Sequence, residues 1–273
     1  GTPISLSTYS PVGWFRMGDN ATWNGLIWTM TSVGSETNIA RSLNMVEANR
    51  TTDVPPASSF SNTRSIVLDG VDDYVDIANP TSFNNTGDFS ISAWVKYTSL
   101  GVNKNIFNAR DNRYLYIRTG FIWGAFKNSG GSFRSISTPL LYNDGNWHHV
   151  LFVKNSTNLT LFVDGSQVAT NTNGGATQAA GSSFARVGAR ANAATPNSFY
   201  PGNVDELAFF NSDQSANIST IWNGGTPNDI SSLSPSIWYR CGDGDTAPTL
   251  TDNGSRGDNG TMTNFTTFST DVP

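Results

Sequence analysis

Apolar and polar residues alternate along Phe89–Lys96 (FSISAWVK), with Phe89, Ile91, Ala93 and Val95 on one side of the repeat. A period of two predicts a β-strand with one buried face. The same reading extends over the stretch from Ser65 to Lys96. A strand SIVLDG enters a carboxylate-rich turn at Val71-Asp72-Asp73, a strand YVDI leaves it, and a polar loop leads to FSISAWVK. Downstream, residues 103–137 predict several strands with turns at Asp111-Asn112, Thr119-Gly120 and Ser129-Gly130-Gly131. Residues 143–155 (NDGNWHHVLFVKN) give another strand, and residues 158–170 (NLTLFVDGSQVAT) a hairpin. Asp164-Gly165 suits its type I′ turn, whose two central residues need positive φ. FARVGAR and GNVDELAFFN read as further strands. Residues 212–225 (SDQSANISTIWNGG) are the one helical stretch, closed by Asn-Gly-Gly. The expected class is all-β, an antiparallel two-sheet sandwich with one short helix and about a dozen core strands.

A second pattern is internal duplication. SPVGWFRMGDN at residues 10–20 returns as SPSIWYRCGDG at residues 234–244. Gly34-Ser35, Asn44-Met45 and Thr52-Asp53-Val54-Pro55 then find Gly254-Ser255, Asn264-Phe265 and Thr270-Asp271-Val272-Pro273 in the same order. A repeat flanking an unrepeated middle points to duplication. It divides the chain into an opening strand-and-loop segment (1–56) packing on the sandwich, a sandwich core (57–225) and a C-terminal partial repeat of the opening (226–273). The partial repeat is either a remnant or part of a longer tandem array.

Composition narrows the function classes. The 273 residues carry a net charge of −5 and no basic cluster, which argues against nucleic-acid binding. No run is long and apolar enough to span a bilayer, so membrane insertion is not expected. One cysteine, Cys241, excludes an internal disulfide.

In this order, LDGVDDYV (68–75), FSISAWVK (89–96), NWHHVLFV (146–153), LTLFVDGSQV (159–168) and GNVDELAFFN (202–211), with the helix before Trp222-Asn223, resemble the laminin-G-like (concanavalin A-like) jelly-roll family. The resemblance implies two packed antiparallel sheets. It says less about function, since the fold hosts lectins, adhesion modules, glycanase accessory domains and virion proteins.

Catalysis on this fold would be glycoside hydrolysis by two carboxylates about 5–10 Å apart. The Glu-x-Asp-x-x-Glu pattern of the fold's hydrolases is absent, because Glu36, Glu47 and Glu206 are the only glutamates. Asp205 and Glu206 are adjacent, so a regular strand would send them to opposite faces. His148 and His149, the two histidines, lack the partners of a triad or a zinc site and read as residues of a structural strand. The chain is therefore expected not to be an enzyme.

Calcium takes several oxygen ligands, and Asp72, Asp73, Asp205 and Asp19 are the candidates. The resemblance implies a structural calcium near the Asp-Glu strand and singles out Asp205. For Asp72 and Asp73 the alternative is turn geometry alone. For ligand binding, residues 110–123 (RDNRYLYIRTGFIW) stand out. Tyr114, Tyr116 and Arg118 share one strand face, with Trp123 and Arg134 able to join from neighbouring strands. Flat aromatic faces beside planar polar groups suit a sugar, although strands also use Tyr and Trp for packing alone.

The expected function is a non-enzymatic recognition or structural module that binds a glycan or surface polysaccharide, with another protein as the second choice of ligand. Sparse Cys and Lys, a Ser/Thr/Asn/Gly bias and module duplication look similar to bacteriophage appendage, fibre or head-decoration proteins. That likeness implies a virion location, other virion or surface proteins as partners, and a homo-oligomer such as a trimer. The alternative is a secreted or cell-surface bacterial adhesin, or the accessory carbohydrate-binding domain of a glycanase.

Overall fold

The structure, a computed structural model, describes residues 60–78, 80, 83, 85–178, 184–191 and 194–273, together with three strand backbones nearer the N-terminus. The chain divides into two compact units, Gly1–Ser59 and Phe60–Pro273. In the first, β1 (Ala21–Trp23), β2 (Trp28–Thr31) and β3 (Ile39–Arg41) form an antiparallel sheet in that order.

The second unit begins with β4 (Ile66–Asp69), β5 (Tyr74–Ala78), β6 (Phe89–Lys96), β7 (Lys104–Ala109), β8 (Arg113–Arg118), β9 (Phe121–Lys127) and β10 (Phe133–Ser137). It continues through β11 (Trp147–Asn155), β12 (Asn158–Val163), β13 (Ser166–Asn171), β14 (Phe184–Val187) and β15 (Pro201–Phe210). The helix α1 (Ile218–Trp222) precedes β16 (Ile237–Tyr239), β17 (Thr249–Leu250) and β18 (Gly260–Thr263). These strands make an all-β sandwich of two antiparallel sheets with one short α-helix. One sheet runs β10-β9-β8-β7-β14-β5-β18-β17; the other runs β13-β12-β11-β6-β15-β16, with β4 also paired to β15.

The inner faces meet in one core that includes Ile91, Val95, Phe107, Leu115, Phe126, Phe152, Leu161 and Phe209. Strand β6 departs from the one-faced expectation. Its polar positions Ser90 and Ser92 are buried too, on the side of the sheet that carries a second apolar cluster. Phe210, Ile221, Ile230 and Trp238 belong to that cluster, with Phe60 packed against it. Ser90 Oγ donates to the Ser212 carbonyl and accepts from the Gln214 amide, so its hydroxyl is satisfied without water. The β12–β13 hairpin turns at Asp164 (φ 48°) and Gly165 (φ 76°), the two positive angles that a type I′ turn requires.

The C-terminal segment contributes to both sheets. Strand β16 extends one sheet beside β15, while β18 extends the other beside β5. Ile237, Tyr239, Cys241, Leu250 and Met262 all enter the shared core. The second copy of the repeated sequence is thus part of the sandwich itself. Residues 10–20 of the first copy, Asp19 included, lie outside the described residues.

Candidate functional site

Strand alternation places Leu115 and Ile117 of β8 in the core and turns Tyr114, Tyr116 and Arg118 to the outer face. Antiparallel partners share a face, and register brings Trp123 of β9 and Asn105 of β7 opposite Tyr116. Ala125 lies opposite Tyr114, and Ser135 of β10 lies opposite Ala125. Together they line a groove of about 370 Å³, completed by Asn103, Phe133, Arg190 and Ser198. That volume lies in the range of small-ligand sites.

The groove is preorganised. The Tyr116 and Trp123 rings stack at 6.1 Å with 23° between their planes. The Arg118 guanidinium lies 5.9 Å from the Trp123 ring, within reach of the ring's negative face. Beside them, the Tyr114 hydroxyl donates to Asp111 Oδ1 at 2.8 Å. The same carboxylate accepts from Lys127 Nζ at 2.8 Å and Arg190 Nε at 3.0 Å. Burial pushes the Asp111 carboxyl up, but hydrogen bonds from Lys127, Tyr114 and Arg190 outweigh it and leave its pKa lowered. Burial also raises the Tyr116 hydroxyl, which stays a neutral donor. The indole Nε1 of Trp123 is buried and has no hydrogen-bond partner.

Of the five residues expected in the patch, Tyr114, Tyr116, Arg118 and Trp123 line the groove. Arg134 does not: its register partner Phe126 belongs to the core, so the side chain leaves the sheet on the other face. The sequence reading missed Asn103, Asn105, Phe133, Ser135, Arg190 and Ser198. Asn105 needed the β7–β8 register to be found. Arg190 and Ser198 come from the connection after β14, where Asn105 N–H donates to the Ser198 carbonyl at 3.0 Å.

The carboxylates expected to hold calcium occupy two other places. Asp205 is buried, with Oδ2 accepting from Asn62 Nδ2 at 2.8 Å and Oδ1 from the Glu206 amide at 2.9 Å. Burial, reinforced by the Glu206 charge, pushes its pKa up to about 9. Both oxygens of Asp205 are thus engaged by protein donors, which leaves a cation only their remaining lone pairs. Asp72 and Asp73 lie with Asp69 in the turn after β4, with ligand oxygens within 4.8 Å of one another. Asp69 Oδ1 accepts from the amides of Val71, Asp72 and Asp73, and Asp73 Oδ2 accepts from the Asp69 amide. This is the hydrogen bonding of a tight Asx-type turn.

The histidines are structural. His148 bridges Asp164 at 2.7 Å and Asp144 at 3.2 Å. His149 Nε2 lies 2.9 Å from Ser92 Oγ, but both residues are sealed from solvent. His149 Nδ1 has no partner, so no carboxylate orients the ring as a triad requires.

Residues 69–217, over half of the chain, match the family model described as the concanavalin A-like lectin/glucanases superfamily. No curated protein matches the chain in sequence. Among solved structures, a putative carbohydrate binding protein from Bacteroides ovatus is similar at a TM-score of 0.58 and 16% identity, covering 89% of this chain and 68% of that one. A heptameric SAP-like pentraxin from Limulus polyphemus is similar at a TM-score of 0.47 and 15% identity, covering 59% and 82%. At such identities the structural likeness speaks to fold alone. The matched segment holds the sandwich's defining strands and the groove of Tyr116 and Trp123, and the chain belongs to the concanavalin A-like lectin/glucanases superfamily.

Proposed function

We propose that the chain is a non-enzymatic carbohydrate-binding module whose ligand lies in the groove over β7–β10. The observation that carries this reading is the stacked Tyr116–Trp123 pair in a groove also lined by Asn103, Asn105, Ser135 and Ser198, whose side chains carry amide and hydroxyl groups. A sugar ring offers a C–H face to the aromatics and hydroxyl oxygens to the donors. The putative carbohydrate-binding neighbour of the same fold supports it. No Asp or Glu lines the groove, so it lacks the paired carboxylates that hydrolysis would use.

The setting we propose is a virion appendage or decoration protein, with a secreted or cell-surface adhesin or a glycanase accessory domain as the alternative. That placement rests on composition and sequence duplication. Calcium, if held, would be a structural ion at the Asp69-Asp72-Asp73 turn and not part of the groove. A glycan array probed with the folded protein, once with calcium and once with chelator, tests the reading. Hits retained by the wild type and lost by Trp123→Ala support it. A negative array on folded protein sinks it.

A further inference from the structure

The groove carries an excess of positive charge. On a chain of net charge −5, it is lined by two guanidiniums, Arg118 and Arg190, and by no carboxylate. Arg118 has no ion-pair partner among the described residues; its contact is the Trp123 ring. Arg190 is tied through Nε to Asp111, but Asp111 also serves Lys127. One carboxylate therefore faces two cations, and Arg118 adds a third.

A neutral sugar hydroxyl both donates and accepts, and a site for it does best with both kinds of group. Asn103, Asn105, Ser135 and Ser198 supply both kinds, whereas the guanidinium of Arg118 can only donate and calls for an acceptor-only anion. A guanidinium binds a planar carboxylate or a sulfate through two parallel N–H···O bonds, and such charge-assisted bonds are about twice as strong as neutral ones. Arg118, 5.9 Å from the Trp123 ring, is placed to make that contact beside a sugar ring packed on Tyr116 and Trp123. Resting on the carbohydrate-binding reading above, we infer that the ligand is an anionic glycan, its carboxylate or sulfate held by Arg118 with Arg190 supplying the surrounding positive field.

The test is isothermal titration of the full chain with three probes of similar size. These are tetragalacturonate, its fully methyl-esterified form and a sulfated galactotetraose. The inference expects an anionic probe to bind at least tenfold tighter than the neutral ester at low salt, with the difference shrinking as salt rises. Arg118→Gln should abolish that difference, and Arg134→Gln, on the opposite face of the sheet, should leave it intact. Preference for the uronate assigns a carboxylate, and preference for the sulfated probe assigns a sulfate. If the ester binds as well as the anions, the anionic class is overturned while carbohydrate binding stands. If none of the three binds to protein with an unchanged melting temperature, and the glycan array is also blank, both readings fall.

Discussion

Asp205 and Glu206, neighbours in strand β15, point to the same side of their sheet. Asp205 pairs with Trp94, but the next paired residue, Ala208, meets Ser92, so one extra residue is inserted into β15. Glu206 takes it up with φ of 45°, as in a β-bulge. Val204 and Leu207 remain in the core while Ala208 and Phe210 belong to the second apolar cluster. The expectation of opposite faces fails for this reason. The outcome is a buried carboxyl pair under the C-terminal segment. Glu206 Oε2 accepts from Trp238 Nε1 at 2.6 Å and Oε1 from Arg240 Nε at 3.2 Å.

This pair sets a pH dependence. Burial raises Glu206 to about 7 and Asp205 to about 9. A carboxyl whose folded pKa is raised stabilises fully below its unfolded value, near 4, and loses that contribution as pH rises through the folded value. Stability should therefore decline on the alkaline side up to about pH 9. His149 acts in the other direction: burial lowers it to about 4, so its contribution is present above 6.5 and is lost as pH falls through about 4. Melting temperature against pH should show both limbs. Asp205→Asn should flatten the alkaline limb; an unchanged slope there would falsify the assignment.

Asp205 is also the residue that separates calcium from packing. Asp205→Ala leaves Asn62 Nδ2 and the bulge amide without their acceptor, a loss of about 1–3 kcal/mol. The melting temperature should fall equally in calcium and in chelator. A fall seen only in calcium would restore Asp205 as a ligand.

Arg240→Ala removes a partner of a buried carboxylate. The loss should approach 3 kcal/mol at pH 8 and shrink at pH 5, where Glu206 carries its proton. Denaturant midpoints at the two pH values give the comparison. Equal losses at both would mean that Arg240 acts through its other contacts, the Ser61 carbonyl, Asp243 and the rings of Phe60 and Trp238.

Gly124 lies behind the groove on the core side of β9. A Cβ there would come within 2.3 Å of the Phe152 ring, which belongs to the opposite sheet. Gly124→Ala should destabilise the sandwich by about 1–3 kcal/mol through overpacking, read from the denaturant midpoint. An unaffected midpoint would show that the two sheets separate readily at this point.

For the groove, Trp123→Ala and Tyr116→Ala should each weaken any glycan hit at least tenfold, the scale of about 1.4 kcal/mol. Circular dichroism should remain unchanged. Arg134→Ala, whose side chain leaves on the opposite face, should bind as the wild type does.

The alternation at Phe89–Lys96 and the Asp164-Gly165 turn were readable from residues alone, because strand period and positive φ are local properties of the chain. So was the shared face of Tyr114, Tyr116 and Arg118. Trp123 and Arg134 were both assigned to that face from neighbouring strands, but register decides such cases, and a shift of one residue turns a side chain to the other side. Trp123 meets Tyr116, whereas Arg134 meets core-facing Phe126. Arg190, far from β8 in sequence, reaches the groove only because β14 lies beside β7. The bulge at Glu206 gave no periodic signal, since one inserted residue breaks the alternation by which strand faces are read. The repeated segment was visible as sequence, but its place at the edges of both sheets depended on long-range pairing with β15 and β5. The sequence by itself thus determined the strands, the turns and the class of fold, which follow from contacts between near neighbours in the chain. Only the tertiary structure decided which side chains meet in the groove and which carboxyls lose their water, because register, bulges and burial arise between segments far apart in the chain.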